Sequence, residues 1–174
     1  MNPGYFLGVD VGTGSARAGI LGRDGRMVGA ASQPIEIWKP VPDHVEQSSD
    51  DIWRACGRAV RTALKTARLK PTAIQGIGFD ATCSLVALDE DDRPVSVSIT
   101  ERAGQNVIVW MDHRAIPQAQ QINRTRASVL RYVGGVISPE MQTPKRLWLK
   151  EHLPGNTWRR FKPLHTARAI SSKR

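Results

Sequence analysis

Residues 5–21 form the segment that most constrains how this chain can fold. An apolar run at 5–9 is typical of a buried strand and is followed directly by a single carboxylate, Asp10. A turn of glycine and hydroxyl residues at 12–15 then leads to a second apolar run at 18–21. The pattern predicts two strands joined by a tight turn, with a carboxylate at the end of the first strand.

The turn between these strands admits two interpretations. Glycine lets a backbone approach a ligand closely, and successive N–H groups in a turn can form a nest that binds anions. Asp10 stands at the mouth of the turn, where a carboxylate can hold Mg²⁺ directly or through water. The segment lacks both the G-K-[ST] of a Walker loop and G-x-G-x-x-G, so a nucleotide-phosphate site and a plain hairpin both fit it.

Positive charge is unevenly distributed along the chain. The 174 residues carry a formal net charge of +9, but six basic residues and no acid lie between 152 and 174. The rest of the chain is only mildly basic, which argues against nucleic acid as a partner and leaves a small basic nucleic-acid-binding protein as an alternative.

Two isolated cysteines, no leader-like N-terminus and no apolar run of membrane-spanning length predict a cytoplasmic protein without a membrane partner.

Hydrophobic periodicity predicts a mixed α/β sheet with flanking helices. The expected strands are 5–9, 17–21, 27–32, 73–79, 85–88, 95–99 and 107–111, and the expected helices are 48–68, 115–123, 127–133 and 144–152. Because Asp24-Gly25 is a strong hairpin signal, the first three strands should form an antiparallel meander. Cys56 falls on the apolar face of the first helix and is expected in the core, opposite a solvated basic face.

Polar residues follow three of the predicted strands. They are Asp10 with its hydroxyl turn, the loop 80–84, and the segment 112–114. Ligands of open α/β sheets commonly bind beyond the carboxyl ends of the strands, so these groups are candidates for one site. Asp112 and Arg114 are one residue apart on a segment expected to be extended, so they either bind a ligand together or satisfy one another as an ion pair.

The order and spacing of these segments resemble the FGGY family of carbohydrate kinases. The resemblance covers 5 to about 158 and rests on GVDVGTGSAR (8–17), VEQ (45–47) ahead of IW (52–53), LD (88–89), WMDHR (110–114) and PKRLWL (144–149). It implies an actin/hexokinase-like, ribonuclease-H-like ATPase fold. The expected organisation is an incomplete N-terminal kinase domain over 1–158 and a basic tail without family resemblance over 159–174.

The segment Gly78-Phe79-Asp80-Ala81-Thr82-Cys83-Ser84 looks like the D-ribulokinase and ribitol-kinase branch of that family. At this point glycerol kinases would be expected to show Arg-Glu, and xylulose kinases a Gly-Gln-Met-His type of sequence. The resemblance therefore implies ATP-dependent phosphorylation of a pentulose such as D-ribulose, or of a pentitol.

The resemblance also implies a role for each candidate residue. Asp10 would be catalytic and coordinate Mg²⁺, and the ATP phosphates would be bound by Thr13, Gly14, Ser15 and Arg17. The sugar or polyol would be bound by Asp80, Thr82, Cys83, Asp112 and Arg114. Arg17 has an alternative role as the ion-pair partner of a neighbouring acid, and Thr82 has one in capping a turn.

By the same resemblance, the family's catalytic base and second domain lie beyond the region covered here. The chain is therefore expected to be a truncated fragment, weakly active or inactive, that lacks a C-terminal half. The alternatives are a non-catalytic fragment that binds sugar or a partner, and a homo-oligomer. Residues 162–174 have no apolar helical face and are interpreted as a shifted reading frame, an alternative ending or a truncation scar.

Overall fold

The computed structural model describes residues 4–163, which divide into two compact units. The first unit comprises residues 4–36 and 50–82, and the second comprises 37–49 and 83–163. Most of the tail addressed by the sequence interpretation, 164–174, lies outside the described residues.

In chain order the elements are β1 (Tyr5–Val11), β2 (Ser15–Gly22), β3 (Met27–Pro34), β4 (Glu46–Gln47), α1 (Ser49–Ala67), a 3₁₀ turn (Pro71–Ala73), β5 (Ile74–Ala81), β6 (Leu85–Leu88), β7 (Val107–Ile108), α2 (Ile116–Arg124), a 3₁₀ turn (Ser128–Val133), α3 (Gln142–His152), α4 (Asn156–Arg160) and β8 (Lys162–Pro163). Among these elements, no helix combines the length and the apolar character that crossing a membrane requires.

A four-stranded mixed sheet with the order β3-β2-β1-β5 forms the first unit. β1 pairs antiparallel with β2, β2 pairs antiparallel with β3, and β1 pairs parallel with β5. The predicted meander is confirmed, as is the hairpin turn, in which Gly25 has a φ of +79° and donates its N–H to the carbonyl of Gly22. Glycine suits this position because other residues rarely adopt a positive φ.

One face of this sheet packs against α1. Since successive strand residues point to opposite faces, Leu7, Val9 and Val11 are buried on the helix side while Asp10 faces the other way. The helix contributes its small side chains to the contact: Ala55, Cys56, Ala59 and Ala63. The predicted core position of Cys56 is confirmed, and burial raises the pKa of its thiol.

Gly29 in β3 marks the closest approach of the helix to the sheet. A Cβ atom built at this position would lie 2.6 Å from the carbonyl oxygen of Ala63 and 2.8 Å from the Cβ of Ala67. These are backbone and short side-chain atoms of α1, which cannot rotate out of the way. Helix α1 can therefore sit this near to β3 only because residue 29 has no side chain.

The second unit contains a sheet of short strands in the order β4-β7-β6-β8, with antiparallel pairing throughout. Its apolar core is formed by Leu85, Ala87, Val95, Val97, Ile108, Ala115, Trp148, Leu149 and Phe161. The predicted strand β6 and the predicted helices α2 and α3 are confirmed to within two residues at their ends.

Three expectations for the second unit differ from the structure. Residues 95–99 form no strand, because Ser98 Oγ accepts the N–H of Thr100 and Ser96 Oγ accepts that of Ser98 in a side-chain-bonded turn. Strand β7 stops after Ile108 because the chain turns, with the N–H of Asp112 donating to Val109. The segment predicted as a helix at 127–133 is a 3₁₀ turn that ends at Gly134. Strand β4 and helix α4 were not predicted.

Replacing Gly29 with alanine is expected to lower the free energy of unfolding by about 1–3 kcal/mol, because the added methyl group forces α1 away from β3. Gly78→Ala is the matched control, since a Cβ atom there meets nothing within 4 Å. Urea denaturation followed by circular dichroism measures both variants. Equal stability of the two variants would contradict the tight helix–sheet contact.

Candidate active site

Two of the predicted polar clusters meet at one edge of the first unit. Asp10 in β1 is the register partner of Asp80 in the parallel strand β5 and of Arg17 in the antiparallel strand β2. Residues paired in this way share a face of the sheet, so two carboxylates and a guanidinium stand in one row. Arg17 Nη2 lies 3.2 Å from Asp10 Oδ2, and both side chains are about half exposed, at 57% and 49%.

The turn after Asp10 is held by two backbone hydrogen bonds. Gly12 N–H donates to Ser15 at 3.0 Å, and Ile35 N–H donates to the carbonyl of Gly14 at 3.0 Å. A Cβ atom at Gly12 would lie 2.6 Å from Arg17 Nη2, whereas one at Gly14 would meet nothing within 4 Å. Gly12 therefore makes room for Arg17, and the outer side of Gly14 is open to an approaching group.

The glycines of this turn act through their size and not through a left-handed backbone. Neither Gly12 nor Gly14 has a positive φ. A nest of alternating right- and left-handed residues needs a left-handed residue, and neither glycine supplies one. An anion at this turn would instead approach the open backbone at Gly14 and the hydroxyl side chains that flank it.

A cavity of about 820 Å³ opens beside the row of charged residues. Its lining includes Asp10, Arg17 and Asp80. Gly8, Gly19 and Gly78 also line it and lie abreast, since Gly8 is the register partner of both other glycines. A strand surface without side chains is a place where another group can approach the backbone closely.

The end of β5 and the loop that follows it contain three of the sugar-site candidates, Asp80, Thr82 and Cys83. Asp80 Oδ1 accepts the N–H of Ala81, and the N–H of Thr82 donates to Val11 at 3.1 Å, which continues the β1–β5 pairing by one residue. Cys83 belongs to the second unit and its side chain is exposed. Ser84 Oγ accepts the N–H of Trp110 at 3.1 Å, so the start of β6 is tied to the end of β7.

Asp112 and Arg114 form a buried ion pair in the second unit. Arg114 Nη2 lies 2.8 Å from Asp112 Oδ2 and 2.9 Å from Glu46 Oε1, and none of these three side chains is exposed. Arg114 Nη1 donates to the carbonyl of Val97, and Asp112 Oδ2 accepts the N–H of Val45 at 2.6 Å. The geometry favours the ion-pair alternative that the sequence left open.

Aromatic rings extend this buried network. The guanidinium carbon of Arg114 lies 4.8 Å from the ring centroid of Trp148, and the ring of His152 stacks on Trp148 at 4.7 Å. His44 meets the edge of the same indole at 5.3 Å. Burial lowers the pKa of His44, and the positive charge of Arg114 makes the next largest contribution in the same direction. Desolvation and a nearby cation both disfavour protonation of this ring.

Lys145 is a second buried cation that sequence reasoning did not assign. It lies in the first turn of α3, is 1% exposed, and its Nζ donates to the carbonyls of Val109 and Trp110, both at 2.8 Å. Desolvation lowers its pKa to about 8, and the opposing charge of Asp112 limits the decrease. Lys145 thus fixes the turn that carries the chain from β7 to Asp112.

One signal in the sequence points to these buried charges. Lys145 lies three and four residues before Trp148 and Leu149, which places a lysine on the apolar stripe of α3. Glu46 has no such signal, because it stands in a largely polar segment. A charged residue at an apolar position predicts a buried partner of opposite sign or a carbonyl acceptor.

Solved structures of sugar kinases share this fold. A xyloylose kinase from Brucella ovis superposes with a TM-score of 0.80 at 23% identity, covering 96% of this chain and 33% of that chain. A gluconate kinase from Lactobacillus acidophilus superposes with a TM-score of 0.78 at 20% identity, covering 97% and 32%. The predicted actin/hexokinase-like fold, present as a partial N-terminal domain, is confirmed.

A model of the N-terminal domain of the FGGY family of carbohydrate kinases matches residues 5–166. An FGGY carbohydrate kinase domain-containing protein of Xenopus laevis is 51% identical over 154 residues, which are 88% of this chain and 28% of the relative. A D-ribulokinase of Saccharomyces cerevisiae is 43% identical over 152 residues, 86% of this chain and 21% of the relative. The chain belongs to the FGGY family, as the sequence resemblance predicted, and it spans less than a third of the length of these relatives.

Removing the Arg114 guanidinium is expected to cost about 3–5 kcal/mol of unfolding free energy, because Arg114→Met leaves two buried carboxylates without their cation. Arg17→Met removes a half-exposed ion pair and is expected to cost about 1 kcal/mol or less. Urea denaturation compares the two, with Glu46→Gln as a milder variant of the same network. Similar losses for Arg114 and Arg17 would contradict a structural role specific to the buried pair.

The stability of the protein is expected to rise with pH between about 8 and 10.5 because of Lys145. Its pKa is about 8 in the folded chain and near 10.5 when exposed, so in this interval the unfolded chain binds more protons. The difference in unfolding free energy between wild type and Lys145→Met should therefore increase by up to about 1.4 kcal/mol per pH unit. Lys65→Met, in an exposed position of α1, is the control. A pH-independent difference for Lys145→Met would show that the amine is not desolvated.

Proposed function

We propose that this chain provides the Mg²⁺–phosphate and sugar-facing part of an ATP-dependent kinase acting on a pentulose, such as D-ribulose, or on a pentitol. The observation that carries the proposal is the row formed by Arg17, Asp10 and Asp80 beside the open cavity. Carboxylates for a metal, a cation for phosphate and hydrogen-bonding groups for hydroxyls are the groups that phosphoryl transfer to a sugar requires.

Asp10 fits a magnesium ligand. Mg²⁺ keeps several waters and is commonly bound by one or two carboxylates together with substrate phosphates. Asp10 is half exposed at the strand end, with Asp80 as its register partner. When bound, the metal supplies positive charge that neutralises the transferring phosphoryl group. Arg17 Nη2 lies 3.2 Å from Asp10 Oδ2, a contact that orients the carboxylate.

The turn residues Thr13, Gly14 and Ser15 are proposed to bind phosphate oxygens. Gly14 has open space around its Cα, so a phosphate can reach the backbone of the turn. Arg17 is positioned to exchange its contact with Asp10 for a charge-assisted hydrogen bond to the same phosphate. In this proposal ATP binds against the outer side of the hairpin.

Asp80, Thr82 and Cys83 are proposed to contact the sugar hydroxyls. Asp80 has the Ala81 N–H on one carboxylate oxygen, which fixes its orientation while its side chain remains exposed. Asp112 and Arg114 lie in the second unit, where their charged atoms are engaged by each other and by Glu46, so they are proposed as structural residues of that unit and not as direct ligands of the sugar. The choice of a five-carbon substrate rests on the loop 78–84 and on similarity to a protein named D-ribulokinase.

Turnover is proposed to need groups beyond this chain. The relatives are more than three times as long as the part matched here, so the remainder of such a kinase is available to supply a base for the sugar hydroxyl and a second grip on ATP. The second candidate is a non-catalytic fragment that binds the sugar alone. The kinase is favoured because two carboxylates, Asp10 and Asp80, stand side by side, and a kinase needs one for a metal and one for the sugar.

Asp80→Asn is expected to weaken binding of D-ribulose or ribitol by tenfold or more, because a charge-assisted acceptor for hydroxyl groups is lost. Asp91→Asn, an exposed carboxylate in the turn after β6, is the matched control and should bind like wild type. Isothermal titration measures affinity, and conversion of ATP to ADP measures transfer. Binding without transfer favours the non-catalytic candidate, and equal affinities of the two variants would remove Asp80 from the site.

A further inference from the structure

A side chain holds the start of β6 to the end of β7 at the point where backbone pairing stops. The last register pair between these strands is Leu85 with Ile108. Beyond it the chain turns at 109–112, and the connection is continued by Ser84, whose Oγ accepts the N–H of Trp110 at 3.1 Å. Ser84 is 4% exposed, so this hydrogen bond lies inside the second unit.

Trp110 is held by side chains from two directions. Ser84 accepts its N–H, and Lys145 Nζ donates to its carbonyl at 2.8 Å. Lys145 lies in α3, is itself buried, and also donates to the carbonyl of Val109. Because two segments distant in sequence bind the N–H and the carbonyl of one residue, the backbone of Trp110 is a rigid support for Ser84.

The orientation of Ser84 is coupled to that of Cys83. Successive side chains of a chain that enters a strand point to opposite sides. Ser84 is buried against Trp110, and the neighbouring Cys83 is exposed. A rotation that turned Cys83 inward would carry Ser84 Oγ away from the N–H of Trp110, and a backbone donor would lose its acceptor.

We propose that Ser84 is a positioning residue for sugar binding, because its hydroxyl, held by Trp110, directs Cys83 towards the sugar. The inference rests on the proposed function, in which Cys83 contacts a sugar hydroxyl. Ser84 is buried and does not touch the sugar itself. It limits the orientations of Cys83 before the ligand arrives, so less conformational freedom is lost on binding.

Ser98 offers a matched control in the same unit. It is 1% exposed, and its Oγ accepts the N–H of Thr100 at 3.2 Å. Alanine at 84 or at 98 therefore removes a buried hydroxyl that accepts a backbone N–H, but only residue 84 adjoins a candidate sugar contact. Ser84→Thr keeps the hydroxyl and separates the hydrogen bond from the size of the side chain.

The experiment measures the affinity of the wild-type chain and the three variants for D-ribulose and for ribitol by isothermal titration. Ser84→Ala is expected to weaken binding by about three- to tenfold, the effect of one lost hydrogen bond. Ser98→Ala should bind like wild type, and Ser84→Thr should bind more tightly than Ser84→Ala. Amide hydrogen exchange at Trp110 should be faster in Ser84→Ala and unchanged in Ser98→Ala.

The possible failures are distinguishable. A wild-type chain that binds either compound, with Ser84→Ala and Ser98→Ala binding equally well, would overturn the positioning role and leave the proposed function intact. Unchanged exchange at Trp110 in Ser84→Ala would overturn the positioning role as well. A wild-type chain that binds neither compound would overturn the proposed function and, with it, this inference.

Discussion

The register of β1 with its two neighbours is the constraint on which the candidate site depends. Side chains alternate between faces along a strand, so the pairing that buries Val9 against α1 also sets Asp10 on the open face beside Arg17 and Asp80. A slip of one residue would carry the carboxylate into the apolar layer. Packing and site geometry are therefore fixed by the same hydrogen bonds, and selection for a stable core also maintains the charged row.

The second unit is held together by buried charges and not by the register of long strands. Its strands are short, and a buried set of charges, Glu46, Asp112 and Arg114, joins segments distant in sequence. Lys145 adds a cation that holds two carbonyls at the end of β7. Such groups lose hydration on folding, so they stabilise a structure only when every partner is in place. This dependence gives the unit one specific arrangement, because alternative packings would leave a charge unpaired.

Patterns that repeat over many residues predicted the strands and helices well, whereas the effect of single polar residues on the local backbone was predicted less well. The meander, α1 and its Cys56 face follow from strict alternation and helical spacing over many residues, so several side chains report the same element. The strand predictions failed where one or two polar groups determine the local backbone conformation. Ser96 and Ser98 bond the backbone and prevent a strand at 95–99, and the turn at 109–112 shortens β7.

The candidate site shows the same division. The convergence of Asp10 and Asp80 could be expected from the sequence because both lie at the ends of predicted strands, and a neighbouring acid was one of the two partners expected for Arg17. Whether Asp112 and Arg114 face a ligand or each other could not be decided, because that outcome depends on Glu46, a residue 66 positions before Asp112. An ion pair between residues so far apart in the chain produces no periodic pattern in a single sequence. Lys145 was visible as a charge on an apolar stripe, but its two carbonyl acceptors were not.

The three glycines abreast under the cavity have an evolutionary consequence. Gly8, Gly19 and Gly78 make that part of the wall from peptide groups alone, so its shape is set by the main chain and has no side chain to vary. Variation must then come from the side chains beside the glycines, such as Phe79 and Asp80, which line the same cavity. A cavity floor built from backbone can keep its shape while the side chains around it change, so the binding preference of the cavity can change without altering the fold.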